Sequence, residues 1–231
     1  MPFVAAPDAP VGRASGAIPA PPIVRAMKRA PHGFTLLELM VVLAIAGVLM
    51  AVGIPAMGNF LRNGRITGAA NDVMAALHFT RSEAIKRRVP VTLCTSANAL
   101  LNNLANNNAT CAASADLTGW IVFVDTNQSG QRDAGEAILL NHEPVDARIT
   151  AHSSDNPFAV TYLLNGFADD PNPAQLVLCD ERGNVPTGGE LSSARGILVA
   201  VTGRAGVTRD LDEIQELLDT IGADVGGCEA N

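Results

Sequence analysis

The residues whose spacing is most suggestive of chemistry lie in one polar loop between Asp125 and Glu136. Side chains that carry oxygen recur along this loop, and Gly130 stands where a sharp turn would be needed. The order is close to the loop with which EF-hand proteins bind Ca²⁺, a hard cation that prefers carboxylate, amide and hydroxyl oxygens. The candidate calcium ligands are Asp125, Asn127, Ser129, Asp133 and Glu136.

The same loop has a simpler interpretation as a polar hairpin turn. The segments on either side of it are predicted strands, whereas an EF-hand loop joins two helices. Asp, Asn and Gly also occur in ordinary turns for reasons of backbone geometry. The sequence favours the plain turn and leaves calcium as the one cofactor to be tested.

The four cysteines are a second group that could do chemistry. None of Cys94, Cys111, Cys179 and Cys228 belongs to a CxxC pair, so a zinc site is not expected, whereas an even number fits disulfides in an oxidising compartment. A Cys94–Cys111 bridge would close an Asn-rich loop of about 18 residues, expected to be mobile, and would stabilise the fold by about 3 kcal/mol. Cys179 would then pair with Cys228, although the other connectivities stay open.

A single carboxylate, Glu38, stands at the start of a long apolar run. No charged residue occurs from Leu39 to Met57, and a helix of these 19 residues would cross most of a bilayer. A carboxylate costs about 2.5–3.5 kcal/mol at the bilayer centre, so one in this position either has a partner or lies at the headgroup level. Lys28 and Arg29 place the N-terminal side of the run in the cytoplasm. A secretory signal peptide is the alternative, but the run is longer than its usual apolar region.

The segment Gly33-Phe34-Thr35-Leu36-Leu37-Glu38, with the basic residues before it and the apolar run after it, resembles the cleavage and methylation motif of type IV prepilins and type II secretion pseudopilins. The resemblance implies that prepilin peptidase cuts after Gly33 and methylates the new amine of Phe34. It also implies that Glu38 pairs with the N-terminal amine of a neighbouring subunit during assembly. Pro55 falls where the family has a proline that bends or loosens the helix, because proline removes one helical hydrogen bond.

The leader that this cleavage would remove, residues 1–33, is long for the family. Its first 26 residues are rich in Ala and Pro and are predicted to be disordered. Translation from Met27 would give the short leader MKRAPHG. Residues 1–26 are therefore expected to be a dispensable extension or the product of a misassigned start.

An amphipathic helix over residues 58–89 is predicted to follow the membrane-spanning helix over residues 34–57. Its apolar residues recur at mostly helical spacing and are expected to pack on the domain that follows. Three glycines weaken its first half by up to about 1 kcal/mol each, and Pro90 ends it. The predicted apolar face consists of Phe60, Ile66, Ala70, Val73, Leu77 and Ile85.

Beyond Pro90 the pattern changes to short apolar or alternating segments separated by turn residues, which predicts an antiparallel β domain over residues 90–209. A long helix packed on such a domain is an α+β fold. Asp210 and Glu213 then form a helix-capping pattern, so residues 210–231 are predicted to be a C-terminal helical tail. The predicted strands are 91–95, 120–125, 137–142, 147–152, 158–165, 174–180 and 195–201.

Three stretches that follow the apolar run, residues 81–94, 119–139 and 201–207, resemble the GspH/FimT branch of the pseudopilins. That resemblance implies a minor pseudopilin, a structural subunit of the type II secretion pseudopilus. It would cross the inner membrane once, keep its C-terminal domain in the periplasm, and assemble with other pseudopilins or pilins. The alternatives are a minor pilin of a type IV pilus and a pilin-like module for DNA uptake or binding.

Charge and motif content argue against nucleic acid and catalysis. The net charge is −7, and the first 33 residues contribute +3 (four basic residues against Asp8), so the remainder carries −10 and should repel phosphates. A small basic cluster, Gly203 to Gly206 with Arg209, is followed directly by acidic residues and is interpreted as a turn. DNA binding is therefore not expected, and no sequence signature of an enzyme is found.

Overall fold

The structure is a computed structural model that describes residues 33–102, 104–112, 119–155, 157–221 and 228. The chain forms two compact units, one ending at Val48 and the other running from Leu49 to Asn231. We call the second unit the body. Nearly all of the predicted leader, residues 1–32, lies outside the described residues.

The described residues form two α-helices and eleven β-strands. Helix α1 covers Leu36–Arg87 and helix α2 covers Leu211–Ile221. Both predicted helical segments between residues 34 and 89 therefore belong to one element. The strands are β1 Val91–Thr95, β2 Leu100–Leu101, β3 Leu104–Ala105, β4 Trp120–Val124, β5 Ile138–His142, β6 Thr150–Ser153, β7 Ala159–Tyr162, β8 Ala174–Cys179, β9 Pro186–Gly188, β10 Leu191–Val199 and β11 Ala205–Asp210.

The strands pair antiparallel in three sheets, as the α+β prediction requires. One sheet has the order β5-β4-β1-β7, and a second has the order β11-β10-β8-β6 with β9 added beside β10. The third sheet is the small hairpin β2–β3. Because the second half of α1 packs against the two larger sheets, the body has one main core.

The main core combines one face of α1 with inward-facing residues of both larger sheets. Alternation along the strands decides which side chains enter it: Trp120 and Val122 of β4 face the core, whereas Ile121 and Phe123 face a smaller cluster around Cys94. The fully buried large side chains of the main core are Ile66, Leu77, Leu93, Trp120, Ile149, Tyr162, Leu176, Leu178 and Ile197.

Two residues of the predicted apolar face of α1 are exposed, so that part of the prediction is wrong. Phe60 is 72% exposed and Ile85 is 49% exposed, whereas Ile66 is fully buried. At 3.6 residues per turn, both exposed residues lie about 100–120° around the helix from Ile66. The spacing among the inner residues is helical, but these two positions are on the solvent side.

The Asn-rich loop that was expected to be mobile contains the hairpin β2–β3. Its base is held by side-chain amides: Asn106 Nδ2 donates to Asn98 O at 3.1 Å, and Asn141 Nδ2 donates to Ala99 O at 2.7 Å. Buried Ala99 and Ala109 pack in the cluster around Cys94. The asparagines therefore satisfy backbone groups that a mobile loop would leave to water.

Helix α2 confirms the predicted capping pattern at Asp210. Asp210 Oδ1 accepts hydrogen bonds from the amides of Asp212 and Glu213, at 3.1 and 3.0 Å. Ile214, Leu217 and Leu218 are buried against the second sheet. Close packing depends on Gly196, because a Cβ there would lie 2.7 Å from Leu217 Cδ1.

Judged by length and mean hydropathy together, no helix among the described residues meets the requirements of a membrane span.

Candidate functional site

The predicted cleavage and assembly residues lie at the N-terminus of α1. Gly33, Phe34 and Thr35 precede the helix, which begins at Leu36. The amide of Glu38 donates to Thr35 Oγ1 at 3.1 Å, and the amide of Leu39 donates to Thr35 O at 3.1 Å. Thr35 is therefore the N-cap, and Glu38 occupies the position that glutamate takes in a capping box.

This cap was missed at the sequence level, although the signal was present. Thr35 and Glu38 have the same spacing as the pattern recognised at Asp210 and Glu213. The cap fixes the start of the helix after Phe34, so the two described residues before the cap, Gly33 and Phe34, lie outside the helix. An exposed, non-helical segment is what a peptidase needs at a cleavage site.

Helix α1 exposes apolar side chains before it reaches the core of the body. In the first unit the large apolar residues from Phe34 to Val48 are between 50% and 83% exposed. In the body the same holds for Leu49, Met50 and Ile54, at 62–70%. A helix that is apolar on all sides must bury those side chains in lipid or against other helices.

Arginines of the body hold α1 where its core-facing part begins. Arg182 Nη1 donates to Asn63 Oδ1 at 2.8 Å, and Arg195 Nη2 donates to Thr67 Oγ1 at 3.1 Å. Arg195 is only 2% exposed, and its Nη1 atom also donates to three backbone carbonyls. Burial, reinforced by Arg209 and Arg182, lowers the pKa of Arg195 to about 10.

A second polar contact joins α1 to the segment before β6. Arg65 Nη1 lies 3.5 Å from Asp146 Oδ2, and Arg148 also pairs with Asp146, at 2.9 Å. The hydrogen bonds from Arg148 lower the pKa of Asp146 to about 2. Asp146 therefore stays ionised through the physiological range, and both contacts persist there.

The predicted calcium ligands are engaged in hydrogen bonds within their loop. Asp125 is fully buried, and its two oxygens accept the amides of Ser129 and Gly130 at 3.0 and 2.9 Å. Thr92 Oγ1 also donates to Asp125, at 2.7 Å. Glu136 accepts the amides of Thr126 and Asp133 at 3.0 and 2.9 Å, and Asn127 donates to Asp133 at 2.8 Å.

A calcium ion in this loop would have to displace amide donors from Asp125 and Glu136. We therefore expect the loop to keep its shape in calcium-free buffer, and calorimetric titration of the chain with CaCl₂ to give no heat of binding. Saturable heat that is absent from Asp133→Ala would instead establish the predicted site. Until that titration is made, calcium binding stays a prediction.

Comparison with known proteins decides the family. The family described as "Type II transport protein GspH" matches residues 69–203, more than half of the chain. The chain belongs to the GspH family. A second family, "Prokaryotic N-terminal methylation motif", matches residues 28–54 of this GspH family member, which include Gly33 and Glu38. Both matches confirm the resemblance seen in the sequence.

Individual relatives of this GspH family member are similar either over a short segment or at low sequence identity. Thirty-six residues are 57% identical to "Prepilin peptidase-dependent protein D" of Escherichia coli (strain K12), and the chain spans 25% of that protein's length. Two crystal structures of the type IV minor pilin FimU from Pseudomonas aeruginosa (strain PAO1) are also similar. They are 18% and 20% identical, cover 64% and 62% of this chain and 92% and 91% of theirs, and have TM-scores of 0.44 and 0.41.

Two disulfides tie the body of this GspH family member. Cys94 is bonded to Cys111, with Cα atoms 5.6 Å apart, and Cys179 is bonded to Cys228, with Cα atoms 5.5 Å apart. These are the pairs that the sequence favours. The first bridge anchors the loop that contains β2–β3, and the second lies beneath α2.

Removing the first bridge should destabilise the body. We expect the double variant Cys94→Ser, Cys111→Ser to lose about 3 kcal/mol of unfolding free energy, because a closed loop of this length limits the unfolded chain. Urea unfolding followed by the fluorescence of Trp120, the chain's one tryptophan, measures the loss. Wild-type protein without reductant is the control, and unchanged stability of the variant would contradict the expected role of the bridge.

One group of potential metal ligands was not anticipated. It consists of His152, Cys179 and Cys228, whose ring nitrogen and two sulfur atoms lie within 4.8 Å of one another. Among the described residues, no other cluster of three His, Cys, Asp or Glu side chains has this spacing. Both sulfurs belong to the disulfide, so they are not thiolates. Burial lowers the pKa of His152, which is therefore neutral at pH 7.

The basic cluster near the end of the GspH match is a hairpin turn. Gly203 N donates to Ala200 O at 2.7 Å, and Ala200 N donates to Arg204 O at 2.9 Å, which closes the turn between β10 and β11. The turn that the sequence predicted is therefore present. The two cluster arginines diverge: Arg204 is exposed, whereas Arg209 is partly buried in β11.

Proposed function

We propose that the chain is a minor pseudopilin, a structural subunit of the type II secretion pseudopilus that prepilin peptidase processes between Gly33 and Phe34. The observation that carries this proposal is the combination, in one chain, of the methylation motif over residues 28–54 and a GspH body over residues 69–203. The two features correspond to the two tasks of such a subunit. One task is anchoring and assembly, and the other is presenting a folded domain.

The exposed apolar surface of α1 supports an anchoring role. Residues such as Leu37, Leu43 and Leu49 expose more than half of their surface, and in water that exposure is unfavourable by roughly 25 cal/mol per Å². Before assembly the inner membrane would cover this surface, and in a filament neighbouring helices would replace the lipid. Lys28 and Arg29 would keep the N-terminus cytoplasmic, with the body in the periplasm.

Glu38 supports an assembly role. Cleavage would create a positive amine on Phe34, and Glu38 is an exposed carboxylate only one helical turn away. Within one subunit the Glu38 backbone amide donates to the N-cap Thr35, and among the described residues the Glu38 carboxylate forms no hydrogen bond or ion pair. An incoming subunit's methylated amine would supply the missing partner in a low-dielectric environment.

Processing is the most direct test of the proposal. In cells that contain prepilin peptidase, we expect the mature mass to correspond to a chain that begins at Phe34 and carries one added methyl group. Gly33→Val should accumulate as the full precursor, because a branched side chain blocks close approach of the peptidase to the backbone. A wild-type chain that keeps its leader, or normal cleavage of Gly33→Val, would contradict the proposal.

The type II machine is favoured over a type IV pilus by the description of the matching family, "Type II transport protein GspH". Deletion of the gene should stop export of type II substrates and leave surface pili unchanged. Loss of pili with normal secretion would assign the chain to a type IV pilus instead. Complementation with Gly33→Val separates a failure of processing from a failure of the body.

A further inference from the structure

We propose that the body binds a second copy of this chain head to tail, through two surfaces of opposite charge at the two ends of the β10–β11 hairpin. This contact goes beyond the proposed function, which concerns α1 and its motif. It joins body to body and requires neither Glu38 nor a lipid bilayer.

The first surface, which we call the basic end, surrounds the turn between β10 and β11. Ala168 N donates to Val201 O at 3.0 Å and so joins this turn to the turn at residues 163–167. Arg81 of α1 donates to Gly166 O at 2.9 Å and to Thr202 O at 3.2 Å, which fixes both turns on the helix. Four apolar side chains are exposed here: Ile85 at 49%, Leu164 at 58%, Phe167 at 46% and Val201 at 40%.

Positive charge borders this apolar surface. Lys86, Arg87 and Arg88 follow Ile85 at the end of α1, and Arg204 follows the β10–β11 turn; all four are exposed. Glu83 pairs with Lys86 and Arg87. Within the described residues, the side chains of Arg88 and Arg204 form no hydrogen bond or ion pair. Two exposed carboxylates, Asp169 and Asp170, follow Phe167. Together with Glu83 they number three against the four exposed basic side chains, so the basic end keeps a positive excess.

The second surface, the acidic end, lies where β10 begins and β11 ends. Leu191 is 47% exposed and pairs with Asp210 across the two strands. Leu211 N donates to Glu190 O at 2.9 Å, which brings the start of α2 beside the start of β10. Four exposed carboxylates surround Leu191: Glu190, Asp210, Asp212 and Glu213. Among the described residues of this end, Arg209 is the basic one, and it is partly buried.

The hairpin separates the two ends. Strand β10 has nine residues, from Leu191 at the acidic end to Val199 beside the turn. Leu191 is in register with Asp210 and Gly196 with Thr208, so β10 bulges between them and the six residues of β11 set the separation of the ends. Six residues at the usual rise span about 20 Å. The two surfaces therefore lie at opposite ends of the hairpin, and one copy can contact two neighbours, one at each end. A contact between different surfaces of identical chains is heterologous and continues as an open chain unless its rotation closes a ring.

Charge sets the direction of the contact. Two copies of a chain with net charge −7 repel each other in most orientations. Like ends brought together would place carboxylates on carboxylates or guanidinium groups on ammonium groups, which is unfavourable. The basic end against the acidic end is attractive and also covers apolar side chains on both partners. The occupant of each surface is therefore the opposite end of a second copy.

Cysteine cross-linking tests this geometry because the described cysteines are all in disulfides. Val201→Cys places a thiol at the basic end, and Leu191→Cys places one at the acidic end. We expect the full chain in detergent, treated with a short bismaleimide, to form dimers only when the two single variants are mixed. The double variant should form a ladder of oligomers. Leu101→Cys, 57% exposed on the β2–β3 hairpin, is the matched control and should not cross-link to Val201→Cys.

Charge reversal gives an independent measurement. Arg88→Glu should reduce the mixed cross-link severalfold, and Asp212→Lys in the other copy should restore it. Dimers formed by Val201→Cys alone, or by Leu191→Cys alone, would show a symmetric contact and overturn the proposal; an absence of mixed dimers would do the same. A Glu38→Gln background should leave the cross-link unchanged, so failure of the α1 assembly role and failure of this contact are distinguishable.

Discussion

Replacing Glu38 with glutamine is expected to leave leader cleavage intact and to reduce incorporation into the filament more than about a hundredfold. Loss of one partner of a buried ion pair costs about 3–5 kcal/mol, and each 1.4 kcal/mol is tenfold. Glutamine is chosen because it also serves in a capping box, so the helix start at Thr35 is preserved while the charge is removed. The measurement compares processed protein in sheared filaments with processed protein in membranes.

The matched control for Glu38→Gln is Thr35→Ala. That variant removes the hydroxyl that accepts the Glu38 amide and costs about 0.5–2 kcal/mol of helix stability, but it keeps the carboxylate. We expect Thr35→Ala to be incorporated nearly as well as the wild type. If Thr35→Ala fails while Glu38→Gln succeeds, the start of α1 acts through capping and not through charge.

Gly203→Ala is expected to destabilise the body by about 3–4 kcal/mol, among the larger losses for one methyl group. Gly203 has φ +75°, a conformation that costs an L-residue about 1–2 kcal/mol. A Cβ at this position would also lie only 2.0 Å from Gly166 O, a backbone atom. Arg81 donates to that same carbonyl, so relief of the clash would disturb the contact with α1.

The control for Gly203→Ala lies three residues away. A Cβ at Gly206 would meet no atom within 4 Å, and Gly206 needs no positive φ. We expect Gly206→Ala to change the unfolding free energy by less than about 0.5 kcal/mol, the range of most surface substitutions. The fluorescence of buried Trp120 during urea unfolding reports both variants. Equal stability of Gly203→Ala and Gly206→Ala would contradict the close packing of the β10–β11 turn on Gly166.

Local patterns predicted the elements whose signals are self-contained. Strand β1 was predicted with its observed limits, Val91–Thr95, because a short apolar or alternating segment lies between Pro90 and a polar loop. Helix α2 was predicted from its cap and its apolar spacing. Neither of these elements depends on distant partners for recognition, although both depend on them for stability.

The missed elements depend on partners that the sequence does not display. Strand β11 has the sequence AGVTRD, with no apolar alternation, and it forms because β10 offers a free edge. The hairpin β2–β3 is held by side-chain amides: Asn106 Nδ2 donates to Asn98 O, and Asn141 Nδ2, from a residue distant in the chain, donates to Asn106 O. Ile85 was placed in the core because its residue type suggested burial, although its angle around α1 did not.

The candidate site shows the same division. Gly33, Phe34 and Glu38 could be predicted as cleavage and assembly residues because their motif is contiguous in the sequence, and residues 28–54 match the methylation-motif family. The capping role of Thr35 was missed because a familiar motif already explained the residues on both sides of it. The arginines that hold α1, Arg182 and Arg195, could not be found from sequence, since they contact Asn63 and Thr67 across more than 100 positions.

The burial of one face of α1 determines which gene fragments can be expressed as a folded protein. A fragment that starts at Pro90 would contain all eleven strands of the described residues, yet it would lack Ile66, Val73, Leu77 and Ala84, which belong to the main core shared with the two larger sheets. A fragment that starts near Arg62 keeps those side chains and the arginine contacts, and omits the exposed apolar residues before them. The second half of α1 is thus an internal part of the domain that it precedes along the chain.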